Sequence, residues 1–283
     1  MKYSGREFTE AEINLIRQLI ADNPSMKRTP LSRLVCQHLS WYKIDGGLKE
    51  MRCRAVMIQM QKDGLIKLPP PQNNFFQNHI IKHTSRTDAQ QEINSSVDLI
   101  GDIRLELVTR NTTSLWNEYI DRYHYLRFTK LPGSQLRYFA YANDQPVACL
   151  SFGAAAWKTE ARDQVIGWDQ QQREKNLHLV VNNARFLIFP WIKSKNLASK
   201  LLSLVAKRIA SDWQDRYNYK PVLLETFVEC TRFTGACYKA ANWLVVGKTK
   251  GLGRNSKTTK ATLPVKDILL FPLNKEFKSI LCK

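Results

Sequence analysis

"ARFLIFPWIKSKNLASKLLSLVAKRI", residues 184–209, passes from an extended apolar run through a proline and a short basic turn into a long amphipathic stretch. It predicts a strand near 179–190 and a helix running from Asn196 to about Tyr217. A strand, turn and helix in that order is the shape in which many proteins cradle a phosphate, because the free N–H groups of the helix start point at the ligand. Whether this chain uses the shape depends on the turn residues and on what lies around them.

Working outward, the pattern from residue 102 onward is mixed α/β. "IRLELV" alternates as a strand, and "SLWNEYIDRYHYL" is helical with Ser114 as its expected cap. "LRYFAYA" and "PVACLSFG" flank "NDQ", a hairpin signal. A polar excursion, "AAAWKTEARDQVIGWDQQQREKNL", precedes the opening stretch. After the long helix come the strand "PVLLETFVE", a short helix "FTGACYKAA", the strand "WLVVG", a basic glycine-rich loop and a last strand "KDILLFPL".

Upstream, residues 8–68 read as a compact helical unit. Thr9 and Glu12 fit a capping box, Ile13, Ile16 and Ile20 recur at helical spacing, and Thr29 with Pro30 offers a second helix start. A third helix follows Gly46 and Gly47, with Leu48, Met51, Ala55 and Ile58 expected on its inner face, and "LIKLP" as a short strand after it. Helices followed by a strand suggest a helix-turn-helix or winged-helix-like module. Lys49, Arg52 and Gln59 then fall on the outer face, where a recognition helix presents side chains to a DNA groove. Residues 71–100, rich in Pro, Asn, Ser and Gln, read as a linker with one ordered patch at 75–81. His79 and His83 stand four apart there without a third ligand at a familiar offset, so they read as surface histidines. The expected domains are 1–70, a linker 71–100, and 101–283.

Composition narrows the partners. The 283 residues carry 43 Lys and Arg against 25 Asp and Glu, a net charge of +18. So large an excess speaks of polyanionic partners, and nucleic acid leads. No apolar run of about 18 residues argues for a membrane span. The six cysteines are scattered without a CxxC pair, which argues against a zinc ribbon and for reduced thiols in a cytoplasmic protein.

The order β-α-(α)-ββ-β-α-β-α-β-β resembles the GCN5-related acetyltransferase fold. That resemblance implies that the turn before the long helix holds the pyrophosphate of acetyl-CoA. The family's loop follows Gln/Arg-x-x-Gly-x-Gly/Ala, and the matching run here is Lys193, Ser194, Lys195, Asn196, Leu197, Ala198. The basic first position and small last position are kept, but Asn196 replaces the middle glycine. Asparagine can enter the left-handed region, but its side chain occupies the space of a diphosphate, and it is also a good N-cap. Asn196 therefore reads as a degenerate coenzyme position, and acetyl-CoA is not expected as a cofactor.

A narrower resemblance covers about residues 102–283. "YHYLRFTKLPGSQLRYFAYANDQPVACLSFGAAAWKTEARDQVIGW", "NNARFLIFPWIKSKNLAS" and "ETFVECTRFTGACYKAANWLVVGKTKGLGR" are similar to the DruA family of the Druantia anti-phage system. The resemblance implies a component of a bacterial defence system that works on DNA beside other subunits.

Several residues bear on chemistry. His124, between two tyrosines, is a candidate general base or phosphate ligand. Arg162 and Trp168 are candidates to grip a phosphate and stack a base, and Arg185, alternating with Asn183, leads into the cradle with Lys193 and Lys195 beyond it. Asp163, Glu225 and Glu229 would hold Mg²⁺ for DNA cleavage if the fold joins them, although Glu225 has the alternative of pairing with Arg185. "GKTKGLGRNSKTTK" places Lys248, Lys250, Arg254, Lys257 and Lys260 in a loop without acids, suited to a phosphate backbone. The leading expectation is a DNA-binding defence component with a degenerate acetyltransferase-like core. The alternatives are a metal-dependent DNA-cleaving or transposition-type enzyme and an acyl-CoA transferase.

Overall fold

A computed structural model describes residues 1–71, 80–252, 261 and 263–283. The chain divides into two compact units, Met1–His79 and Ile80–Lys283.

The first unit is built on α1 (Glu10–Asp22), α2 (Arg28–His38) and α3 (Glu50–Lys62). The capping box forms: Glu12 N–H donates to Thr9 Oγ1 at 3.2 Å, and Thr9 N–H donates to the Glu12 carboxylate at 3.0 Å. Ile13, Ile16, Leu31, Val35, Cys53, Val56, Met57 and Met60 make the core.

Four details of this unit differ from the sequence reading. The inner face of α3 is Cys53, Val56, Met57 and Met60, whereas Met51 is 76% exposed and Ala55 faces solvent. Both stripes have helical spacing; Val56, Met57 and Met60 with Cys53 fill the core, while Leu48 and Ile58 of the expected stripe pack against it half-buried. Lys49 is the N-cap residue and not part of the α3 face. Thr29 is inside the first turn of α2, where its Oγ1 accepts a hydrogen bond from Arg54 at 2.9 Å. "LIKLP" forms no strand; Ile66 and Leu68 enter the core directly, and the extended pairing instead joins Tyr42 to Leu48 between α2 and α3.

The second unit carries a mixed sheet of β1 (Ile103–Leu107), β2 (Gln135–Ala142), β3 (Gln145–Ala154), β4 (Val180–Ile188), β5 (Leu223–Glu229), β6 (Leu244–Lys248) and β7 (Lys266–Pro272). Across the sheet the order is β1-β2-β3-β4-β5-β7-β6 among the described residues. Within this sheet, among the described residues, only β4 and β5 pair in parallel. The helices are α4 (Thr113–Tyr123), α5 (Glu160–Ile166), α6 (Gln170–Asn176), α7 (Leu197–Tyr217), α8 (Ala236–Ala240) and α9 (Phe277–Leu281).

Period-two alternation divides the core into two layers. Val181, Leu224 and Leu269 join the large cluster filled by α4 and α7, while Val180, Leu223 and Leu270 join the cluster with Ile166, Trp168 and Leu281. The α7 stripe Leu197, Leu201, Leu202, Val205, Ile209 and Trp213 is at most 1% exposed. At about 1.5–3 kcal/mol for each fully buried large side chain, α7 is the main anchor of that layer.

Residues 80–100, expected as linker, pack on this unit through polar contacts and through Ile93, Val97 and Ile100, which join the large core cluster. Glu118 on α4 accepts hydrogen bonds from Thr84 N–H, from Thr84 Oγ1 at 2.9 Å and from Thr87 Oγ1 at 2.7 Å. Ile93–Asn94 pairs in parallel with Ile192–Lys193 just before α7. His83, off any helix, contacts Asp121 at 2.9 Å, while His79 and most of the patch at 75–81 lie outside the described residues. Ser114 is not the cap of α4; Thr112 takes that place, with its Oγ1 accepting from Thr109 N–H at 2.9 Å. All six cysteines are free thiols. Among the described residues, no helix is long and apolar enough to cross a membrane.

Candidate functional site

The parallel pair within the large sheet sets the position of the site. β4 and β5 pair from Val180–Leu223 to Asn183–Thr226, and there the pairing stops although both strands continue. Beyond that point β4 follows β3 and β5 follows β7, so a crevice opens between them at the carboxyl ends of the strands. In open α/β sheets such a parting is where ligands are received. A bulge sharpens it: Ser151 pairs with Arg185 and Phe152 with Asn183, leaving Ala184 unmatched and interrupting the Asn183/Arg185 alternation.

Side chains from four segments meet there. The floor is Asn183, 5% exposed, whose Oδ1 accepts from Tyr238 Oη on α8 at 2.5 Å. Arg185 is half-buried and donates to the carbonyl oxygens of Ala184 at 2.8 Å and Arg127 at 3.2 Å. His124, at the end of α4, stacks on Tyr125 with 4.9 Å between ring centroids. Tyr125 in turn meets Phe233 at 5.4 Å and lies under the Arg232 guanidinium at 5.2 Å. Arg232 also donates to Glu229 at 3.0 Å.

Electrostatics separate these groups. Burial, with the Arg185 charge adding to it, pushes His124 down to about 4. Its Nδ1 accepts from Leu126 N–H at 3.2 Å. A neutral imidazole with Nδ1 so engaged carries its proton on Nε2, so His124 is an N–H donor and not the expected general base. Burial pushes the Tyr125 phenol up. Arg185 has no ion pair with an acid among the described residues.

The polar residues of the excursion do something else. Arg162 is fully buried and donates to Glu225 Oε2 at 2.8 Å, to Ala156 O at 2.8 Å, and through Nε and Nη2 to Asp163 Oδ1 at 2.9 and 2.8 Å. Glu225, also fully buried, accepts from Ala156 N–H at 2.8 Å. Trp168, 7% exposed, lies 5.5 Å from the Arg162 guanidinium. Arg162 and Trp168 thus form an internal brace between α5 and β5, out of reach of a phosphate or a base. Glu225 pairs with Arg162 and not with Arg185.

The three proposed metal ligands do not fit Mg²⁺. Asp163 and Glu225 are taken up by Arg162, and Glu229 is held by Arg232 and Thr231. Among the described residues, no group of three His, Cys, Asp or Glu side chains is placed to hold a metal ion.

At the cradle, Asn196 adopts φ +67° and caps α7 with no side-chain hydrogen bond. The turn that a glycine would make therefore survives, while the capping role expected of Asn196 does not. A cavity of about 670 Å³ borders it, lined by Ser199, Lys200, Ser203, Lys207, Asn242 and Phe271 among others. Lys193 pairs with Glu92 at 2.7 Å, and Lys195 is exposed. The basic loop is less open than its sequence: Lys248 lies 3.9 Å from Asp267 and Lys250 2.6 Å from Glu160. Arg254, Lys257 and Lys260 lie outside the described residues.

The sequence signals for the crevice were partial. His124 and Arg185 stood out as single residues. Tyr125, Arg232 and Phe233 did not, since nothing in their spacing says that "TRFTG" folds back onto "YHYL".

The strand order, with a parallel pair in the sheet leading into a left-handed turn and a long helix, defines a mixed α/β domain with the strand order implied by the acetyltransferase resemblance, except that the additional helices, α5 and α6, fall between β3 and β4 and not before the hairpin. The sequence matches the model of the family "Druantia protein DruA" over residues 59–258, and the chain belongs to that family. This family places it in the Druantia anti-phage system. No curated protein matches the sequence. Among solved structures, aminoglycoside acetyltransferase AAC(6')-Ib in complex with coenzyme A is similar at 14% identity and TM-score 0.41, over 60% of this chain and 95% of that one. An N-acetyltransferase from Staphylococcus aureus Mu50 is similar at 11% and 0.38, over 61% and 99%. The ribosomal-protein-S18-alanine N-acetyltransferase from Escherichia coli is similar at 12% and 0.37, over 61% and 95%. At those scores the likeness is coarse and says nothing of a shared ligand.

Proposed function

We propose that this DruA-family chain is the DNA-binding component of a Druantia defence system, acting beside the system's other subunits, with its three-helix unit as a helix-turn-helix-like reader. The carrying observation is the solvent face of α3. Cys53, Val56, Met57 and Met60 turn inward, so Met51, Arg52, Ala55, Gln59 and Lys62 are left outward on one helix. Among the described residues neither Arg52 nor Lys62 is in an ion pair, and burial, with the Arg52 and Arg6 charges adding to it, pushes the Lys49 ammonium down. A donor-rich face with small and apolar side chains between the charges suits base edges and thymine methyl groups in a major groove. In a chain of net charge +18, Arg52 and Lys62 leave that face positively charged, and Gln59 donates to Asp63 at 3.0 Å at its end. The test is charge reversal: Arg52→Glu with Lys62→Glu is expected to weaken duplex DNA binding at least about tenfold, and unchanged binding refutes the reading.

A second reading, an acyl-CoA transferase, is favoured by the cavity beside Asn196, whose Lys200 and Lys207 are suited to phosphates. Calorimetry with acetyl-CoA decides it. Micromolar binding supports it, and no heat of binding at millimolar coenzyme removes it.

A further inference from the structure

The crevice holds an open donor next to a charge that no acid neutralises. His124 is 8% exposed, and its Nε2 has no partner among the described residues. Arg185 gives Nε and Nη1 to carbonyl oxygens and has Nη2 in hand. A partly buried guanidinium facing carbonyls alone is an uncompensated charge, and a bound anion relieves it. Glu229, the acid of the crevice, is already shared by Arg232 and Thr231.

Two further features describe the anion. Phe233, at the mouth, is 48% exposed although it packs on Tyr125, leaving an aromatic face for a planar ring. The floor is shut by the Asn183–Tyr238 hydrogen bond and by Thr226 Oγ1 donating to Asn183 O at 3.2 Å. A strand threading through needs a second opening, whereas a strand end needs one mouth. A terminal phosphate monoester also brings about −1.5 to −2 charge, more than the single charge of an internal diester.

We propose that this crevice receives the phosphorylated terminal nucleotide of a nucleic-acid strand, its phosphate on Arg185 and His124 Nε2 and its base against Phe233. The proposal rests on the DNA-binding reading and assigns that reading a second, end-specific site apart from α3.

The experiment measures binding of the full chain to single-stranded oligonucleotides of one sequence. One pair is labelled at the 3′ end and carries a 5′-phosphate or a 5′-hydroxyl; the other is labelled at the 5′ end and carries a 3′-phosphate or a 3′-hydroxyl. One phosphorylated end is expected to bind about tenfold or more tightly than its hydroxyl counterpart, the size of a lost charge-assisted contact. Arg185→Ala is expected to bring the two affinities together, and Phe233→Ala to weaken binding of the phosphorylated end severalfold. Phe233→Ala is the safeguard, since an exposed ring is not needed for folding. Equal affinities for phosphorylated and hydroxyl ends in the unmodified chain overturn the proposal while leaving DNA binding by α3 standing. Failure to bind any oligonucleotide or duplex overturns both. A preference that survives Arg185→Ala also overturns it, by placing the phosphate elsewhere, and so does undiminished binding of the phosphorylated end by Phe233→Ala, by placing the base elsewhere.

Discussion

Arg162 and Glu225, 63 residues apart in sequence, form an ion pair that is 0% exposed on both sides, with Nη1 and Oε2 2.8 Å apart. The pair is satisfied nearly all round by Ala156 and Asp163, so α5 is fixed against β5 by charge in a layer otherwise closed by Ile166, Trp168 and Leu281. Removing one partner strands the other charge in the interior. Arg162→Ala or Glu225→Ala is expected to lower unfolding stability by about 3–5 kcal/mol, read by urea denaturation. Arg162→Met combined with Glu225→Leu should recover much of that loss. A fully stable Glu225→Ala protein would contradict the brace.

His124 makes acid stability a readout of the crevice. Its value falls to about 4 in the folded chain from an ordinary 6.5, so the unfolded chain takes up a proton between these values and the folded chain does not. Stability from this group is complete above about pH 6.5 and is lost as pH falls toward 4, by about 3 kcal/mol. His124→Asn should flatten that part of the pH profile. An imidazole resonance of His124 that titrates near 6.5 in the folded protein would contradict the assignment.

Glu118 ties residues 84–87 to α4 through three donors, Thr84 N–H and the Thr84 and Thr87 hydroxyls. Burial pushes its carboxyl up, and the donors from Thr84 and Thr87 outweigh this, so it lies below its ordinary value. Glu118→Ala removes the anchor and leaves Thr87 Oγ1 without its carboxylate. Limited proteolysis should then cut within 80–100 well before the sheet unfolds, and unchanged resistance would show that the strand pair at Ile93 and Ile192 suffices.

Asn196 holds a left-handed turn without help from its own side chain. Asn196→Ala should cost about 1 kcal/mol, since a Cβ-bearing residue without a short polar group is strained there. Asn196→Gly should keep or slightly raise the melting midpoint. If the glycine variant also gained acetyl-CoA binding, the cavity beside it would be a coenzyme site blocked by one side chain.

Much of the larger unit was legible from period and punctuation. "NDQ" placed the β2–β3 hairpin, and Pro190 with Asn196 bounded the cradle. Long-range polar pairing was not legible. Residues 80–100 read as linker because their polar composition outweighs the apolar anchors Ile93, Val97 and Ile100, and because Thr84 and Thr87 dock through hydroxyls, which composition does not reveal. Arg162 and Trp168 read as ligand contacts because charge and aromaticity look alike on a surface and in a brace. In α3, two stripes compatible with a helical face competed, and only the packing of Met57 and Met60 against the other helices decides which is inward.

The measurement that tests the central claim most directly is the salt dependence of duplex DNA binding by the full chain. If Lys and Arg hold a nucleic-acid backbone, log K falls linearly with log salt, and affinity drops by about 10³ or more between roughly 50 and 200 mM if six or more phosphates are contacted. No measurable binding at low salt, or binding indifferent to salt over that range, would contradict the account.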